Sequence, residues 1–194
     1  YGVCINGCHI SLAKDLLKDS KVKLVSVVGF PLGSMSTKAK VNEARDYMEQ
    51  GADELDMVLN IGWLRSGHYV AVQEEIAQVK EVMEQKVLKV ILETCYLTES
   101  EKITACKLAV SAKADFVKTS TGFGPGGASF EDVALMKKAV GNKIGIKASG
   151  GIKDAHMAQK YIDLGVSRIG TSSGVAIVTN QNGGFSASNT LDIK

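Results

Sequence analysis

Residues 112–120 read AKADFVKTS. A helical pattern closes at a small residue, a short apolar run follows, and the run ends on a lysine and two hydroxyls. The same join recurs in GADELDMV at 51–58 and in LGVSRIGTS at 164–172. Repetition of this kind marks a helix handing the chain to a strand, again and again.

Working outward, the strand candidates are Gly2–Ile5, Lys23–Val28, Glu54–Leu59, Lys89–Leu92, Phe116–Lys118, Gly145–Lys147 and Arg168–Gly170. Several are apolar at consecutive positions, as expected of parallel strands covered on both faces. Between them lie helical patterns. In HYVAVQEEIAQVKEVME, residues 68–84, Val72, Ile76, Val79 and Met83 form one stripe. Thr98 with Glu101, and Ser129 with Asp132, are spaced as capping boxes. Asp154 is placed to cap a helix carrying Met157, Tyr161 and Leu164, which Gly165 would end. Seven β–α units without a linker predict an α/β fold, a (β/α)8 TIM barrel lacking its first β/α unit. The chain opens at Tyr1 directly on the apolar YGVCI, in mid-strand, so its start is expected to be a truncation. The barrel is expected over residues 1–179, followed by a loose polar tail at 180–194, NQNGGFSASNTLDIK. A doubly wound open sheet is the rival architecture.

A chain of 194 residues, 45% hydrophobic and 23% charged, suits one globular domain with a core that needs no staples. A net charge of +2 and the lack of a Lys/Arg-rich run argue against a nucleic-acid surface. No apolar run approaches the roughly 18–20 residues of a membrane helix, and no signal-peptide pattern is visible, so no membrane partner is expected. Cys4, Cys8, Cys95 and Cys106 read as reduced thiols of a cytoplasmic protein. Cys4, Cys8 and His9 lack C-x-x-C spacing and a second pair, so no metal site is expected there.

In a (β/α) barrel, chemistry gathers at the C-terminal ends of the strands. Those ends supply Asn6, Gly29, Asp56, Asn60, Glu93, Lys118, Lys147 and residues 170–173. Lys118 and Lys147 close consecutive strands. Each alone reads as a solvated strand-end charge; together they point to chemistry. Two ammonium ions in a partly dry cavity repel, and one sheds its proton more readily. A neutral lysine attacks a carbonyl and forms a Schiff base, an electron sink for making or breaking the adjacent C–C bond. Asp56 shares a strand face with Glu54 and needs a cation partner if it points inward. A structural salt bridge and a proton relay are both open readings of it. Gly150, Gly151, Gly170, Ser172 and Ser173 sit in turns whose backbone N–H groups suit a phosphate. GFGPGG at 122–127 matches G-x-G-x-x-G, but the next strand ends in Lys147 where a dinucleotide site needs an acid. No cofactor is therefore expected.

VVGFPLG at 27–33, ELDMVLNIG at 54–62, KVILET at 89–94, FVKTSTGFG at 116–124, KASGGI at 147–152 and RIGTSSG at 168–174 resemble the deoxyribose-phosphate aldolase family. The resemblance runs in order from about Val3 to Val178. It implies a (β/α)8 barrel and a metal-independent class I aldolase. Such an enzyme reversibly cleaves 2-deoxy-D-ribose 5-phosphate to D-glyceraldehyde 3-phosphate and acetaldehyde. It implies Lys118 as the Schiff-base lysine, Lys147 as its perturbing neighbour and Asp56 as the proton-relay acid. Gly122 would add its backbone to the phosphate site, and Cys4, Asn6, Asn60, Lys89, Glu93 and Thr119 would line the rest. The implied partners are small phosphorylated sugars and aldehydes, with a homo-oligomer, a dimer first, as the assembly. The competing readings are a Schiff-base aldolase for another phosphorylated sugar and an inactive phosphate-binding barrel fragment.

Overall fold

A computed structural model describes residues 1–179 of the chain, and the tail at 180–194 lies outside the described residues. Seven parallel strands form one sheet in the order of the chain. They are β1 (Gly2–Ile5), β2 (Lys23–Val28), β3 (Glu54–Val58), β4 (Val87–Ile91), β5 (Phe116–Lys118), β6 (Gly145–Ser149) and β7 (Arg168–Gly170). The helices are α1 (Ile10–Leu16), α2 (Thr37–Glu49), α3 (Ile61–Arg65), α4 (Tyr69–Met83), α5 (Glu99–Ser111), α6 (Phe130–Val140), α7 (Ala155–Asp163) and α8 (Gly174–Val178). Among the described residues, no helix is long and apolar enough to cross a membrane.

The sheet curls on itself. Arg168 of β7 reaches Glu54 of β3 with Nη1 2.7 Å from Oε2. Its Nη2 donates to the Tyr1 hydroxyl at 2.6 Å, and that hydroxyl donates to Glu54 at 2.6 Å. The seventh strand thus meets the third through the interior. That geometry, with sequential strand order and no switch point, gives a TIM-type half-barrel and excludes the doubly wound rival. A cleft of about 900 Å³ separates β1 from β7, lined in part by Val3, Ile169, Val175 and Val178.

Local sequence explains most elements. All five residues of β3 are buried, the carboxylates Glu54 and Asp56 included, so the strand is covered on both faces. The α4 stripe of Val72, Ile76, Val79 and Met83 lies in the core. The Thr98–Glu101 capping box forms, and Ser129 and Asp154 cap α6 and α7 by accepting from the Asp132 and Met157 amides. Burying such a stripe contributes roughly 1.5–3 kcal/mol per large side chain.

Three strands have limits that differ from the sequence reading. β3 stops at Val58, and β6 runs on to Ser149 because Ala148 and Ser149 pair with Ile169 and Gly170. β4 runs from Val87 to Ile91, two residues earlier than expected at its start. The side chain of Asp115, at the entry to β5, accepts from the Leu88 amide at 2.8 Å and from Lys80 at 2.6 Å. That long-range clamp draws residue 87 into the ladder opposite Glu54.

Outside the barrel, Lys40 of α2 and Glu75 of α4 form a fully buried ion pair at 2.7 Å. Lys40 also donates to the Val58 carbonyl at 2.8 Å, tying both helices to the end of β3.

Candidate active site

The site is built around one carboxylate. Asp56 lies in the middle of β3, two residues from Glu54, so both side chains enter the barrel. Register then supplies the partners: Asp56 pairs with Lys89 of β4, Lys118 pairs with Lys147, and Lys147 with Arg168. Asp56 Oδ2 accepts from Lys118 Nζ at 2.8 Å and from Lys147 Nζ at 2.7 Å. Its Oδ1 stands 2.9 Å from Lys89 Nζ, which lies 2.6 Å from Glu54 Oε2. The two Lys89 contacts are ion pairs rather than aligned hydrogen bonds.

Four basic side chains therefore face two carboxylates in the interior. Burial alone would raise the Asp56 pKa, but Lys118, Lys147 and Lys89 outweigh it and hold the carboxyl well below the usual range. Burial likewise works against ionisation of Glu54, yet Arg168 and Lys89 bring its pKa down to about 2. The surplus of positive charge suits an anionic guest.

Above the cluster opens a cavity of about 550 Å³. Lys118 and Lys147 stand in its wall, 5% and 8% exposed. Opposite them run the turns after β6 and β7, with Gly150, Gly151, Gly170, Ser172 and Ser173 on the lining. Gly122 joins from the turn after β5. Among the described residues, the amides of Gly122, Gly150, Gly151 and Ser172 have no hydrogen-bond partner. Gly122 and Gly151 have φ of +88° and +82°, and a Cβ added at either would enter open space. Turns with such positive φ can present successive N–H groups to an anion.

Cys4 and Asn6 also lie on the cavity wall. Four other expected lining residues do not. Lys89 is fully buried beneath Asp56. Asn60 caps α3 by accepting from the Trp63 amide. Thr119 exchanges hydrogen bonds with the Ser149 backbone, locking β5 to β6. Glu93 grips the turn after β5 from behind. Backbone groups hold Asn60, Thr119 and Glu93 off the wall, and two carboxylates hold Lys89.

Sequence reading passed over Phe30, Thr121, Phe123 and Lys153, all of which line the cavity. Lys153 had a readable signal, a cation just after the Gly150–Gly151 turn. The aromatics had a weaker one, since a phenylalanine in a glycine-rich turn has no helix or strand face to bury it.

A TIM-type parallel half-barrel thus carries a lysine–carboxylate cluster at its strand ends and, above it, a rim of amides unpartnered among the described residues. The profile of the DeoC/LacD family aldolases matches residues 3–181. A deoxyribose-phosphate aldolase from Thermococcus gammatolerans is 57% identical over 182 residues, covering 92% of this chain and 81% of that protein. A solved structure of an aldolase, QR15, superposes with a TM-score of 0.90 at 44% identity, covering 93% of this chain and 81% of its own. A tetrameric deoxyribose phosphate aldolase from Aeropyrum pernix superposes with a TM-score of 0.83 at 31% identity, covering 93% and 76%. The chain belongs to the DeoC/LacD aldolase family.

Proposed function

We propose that the protein is a class I, metal-independent aldolase that reversibly cleaves 2-deoxy-D-ribose 5-phosphate to D-glyceraldehyde 3-phosphate and acetaldehyde. The observation that carries this reading is the sharing of Asp56 Oδ2 by Lys118 and Lys147 at the floor of an anion-ready cavity. The names of the curated relatives support the choice of sugar.

The neutral amine of Lys118 adds to the C1 aldehyde of the open-chain sugar, and loss of water gives a protonated imine. Water, Lys147 and Asp56 relay the proton away from the C3 hydroxyl. The C2–C3 bond breaks, its electrons moving into the imine to give an enamine, and C3 leaves as the aldehyde of the three-carbon phosphate. The enamine takes a proton at C2, and hydrolysis of the new imine releases acetaldehyde and frees Lys118. Asp56 serves as a relay because two ammonium groups hold it ionised. When Lys118 gives up its charge to react, one of those groups is lost and the proton affinity of Asp56 rises. The free amides of Gly122, Gly150, Gly151 and Ser172, with Lys153 beside them, hold the phosphate. A homo-oligomer is proposed with them, given the tetrameric relative from Aeropyrum pernix.

Borohydride reduction in the presence of acetaldehyde tests the reading. It is expected to leave a stable ethyl adduct on Lys118, located by peptide mass mapping. An adduct on a different lysine, with Lys118 unmodified, overturns it. Release of acetaldehyde from 2-deoxyribose 5-phosphate tests the substrate.

A further inference from the structure

Glu93 closes β4 in an unusual way. Its backbone lies in the left-handed region, φ 53° and ψ 65°, which strains any residue with a Cβ. Its side chain is buried, yet it stands off the cavity wall. The carboxylate accepts from the Thr121 amide, with oxygens at 3.1 and 3.3 Å, and from the Thr121 hydroxyl. The same hydroxyl oxygen accepts from the Phe123 amide at 3.0 Å. One acid thus uses up, directly or through Thr121, the amides on both sides of Gly122. The Gly122 amide between them has no hydrogen-bond partner among the described residues.

The turn is seated closely on Glu93 and Cys95. A Cβ at Gly124 would come within 3.1 Å of the Cys95 sulfur and 3.2 Å of the Glu93 carboxyl carbon, and one at Gly126 within 2.8 Å of Cys95. Held this way, the turn directs Phe123 across the mouth. Phe123 meets Phe30, from the turn after β2, edge to face with ring centroids 5.4 Å apart. The turns after β2 and β5 thereby meet over the ends of the two strands between them. Phe123 is 76% exposed, so its own burial does not explain the arrangement.

We propose that Glu93 is a positioning residue for substrate binding: it locks the 121–123 turn so that the Gly122 amide faces the substrate phosphate and the Phe30–Phe123 pair roofs the mouth. The inference rests on the phosphorylated-sugar reading of the same cavity. Glu93 touches no reacting atom and acts through Thr121. Without its clamp the turn loses three hydrogen bonds, the Gly122 amide swings, and the phosphate end of the substrate loses a partner. The reacting end, at Lys118, keeps its own contacts to Asp56.

The test compares Glu93→Ala, Glu93→Gln and Thr121→Val on 2-deoxyribose 5-phosphate and on unphosphorylated 2-deoxyribose. Glu93→Ala and Thr121→Val are expected to raise KM for the phosphorylated sugar about tenfold, the loss of one good hydrogen bond, and to raise the KM for 2-deoxyribose much less. Glu93→Gln, whose amide oxygen still accepts from the Thr121 amide, is expected to recover part of the loss. Thr121→Val guards against a folding failure at Glu93, because it cuts the same chain from the exposed side. Equal losses on both sugars, or no change in KM for the phosphorylated one, overturn the proposal. Borohydride trapping of acetaldehyde separates the two readings. If the unsubstituted protein traps nothing on Lys118, the aldolase reading fails. If trapping persists in every variant while the two sugars respond alike, the clamp fails and the aldolase stands.

Discussion

Lys118 and Lys147 are register partners on adjacent strands, and both donate to a single carboxylate oxygen, Asp56 Oδ2. Two cations converging on one acceptor hold each other in place only while the acceptor is charged. The pair is therefore an arrangement that Asp56 maintains.

Replacing Asp56 by Asn keeps the shape and removes that charge. Three lysines would then crowd a neutral amide. We expect aldol cleavage to fall by about 10²–10⁴-fold, as for loss of a proton-transfer group. Stability is expected to drop by about 3–5 kcal/mol, because buried charges lose their partner. Steady-state kinetics and urea unfolding measure the two effects, and retention of full activity would remove Asp56 from the relay.

The two lysines should separate by experiment. Lys118→Met is expected to abolish adduct formation with acetaldehyde and borohydride. Lys147→Met is expected to leave an adduct on Lys118 while lowering turnover about 10²–10⁴-fold, since it removes a proton carrier and not the nucleophile. Mass mapping of both variants checks the division of labour.

Stability should fall in acid through Glu54. Its folded pKa of about 2 lies below the ordinary glutamate value of about 4.3. A depressed carboxyl contributes stability that is fully present above the unfolded value and is lost as pH falls through the folded one. The loss is therefore expected between about pH 4.3 and pH 2. In Glu54→Gln, that part of the pH dependence should be missing from circular-dichroism unfolding curves. An unchanged slope would show that the Arg168–Glu54–Lys89 contacts do not stabilise the fold.

The Lys40–Glu75 pair allows a cleaner energetic test because it lies away from the cavity. Lys40→Met alone strands a buried carboxylate and is expected to destabilise by about 3–5 kcal/mol. The double change Lys40→Met with Glu75→Leu removes both charges and is expected to recover most of that loss. Urea midpoints of the single and double variants give the answer, and a double variant no better than the single would mean that Lys40 acts chiefly through the Val58 carbonyl.

Much of the architecture could be read from local pattern. The stripe from Val72 to Met83, the Thr98–Glu101 box and the repeated helix-to-strand joins depend on neighbours within a few residues, and the folded chain keeps them. Lys118, Lys147 and Asp56 were also legible, because a charge inside a short apolar run needs a reason. The position of Lys89 under Asp56 was not, since it depends on the register between β3 and β4. Nor was the meeting of Phe30 with Phe123, or of Arg168 with Glu54, which joins parts of the chain far apart in sequence. Local periodicity says which way a side chain points along its own strand, and curvature decides what it meets.

The bond from Arg168 to Glu54 and Tyr1 has a mechanical sense. One guanidinium joins Tyr1, next to β1, and β7 to Glu54 in the third strand. That tie is ionic, and it weakens as the Glu54 carboxylate takes up a proton in acid. The β5–β6 wall bearing the two lysines is fastened by main-chain bonds and does not share that sensitivity. Acid therefore acts on the tie to Glu54 and leaves the main-chain fastening of the reactive wall intact.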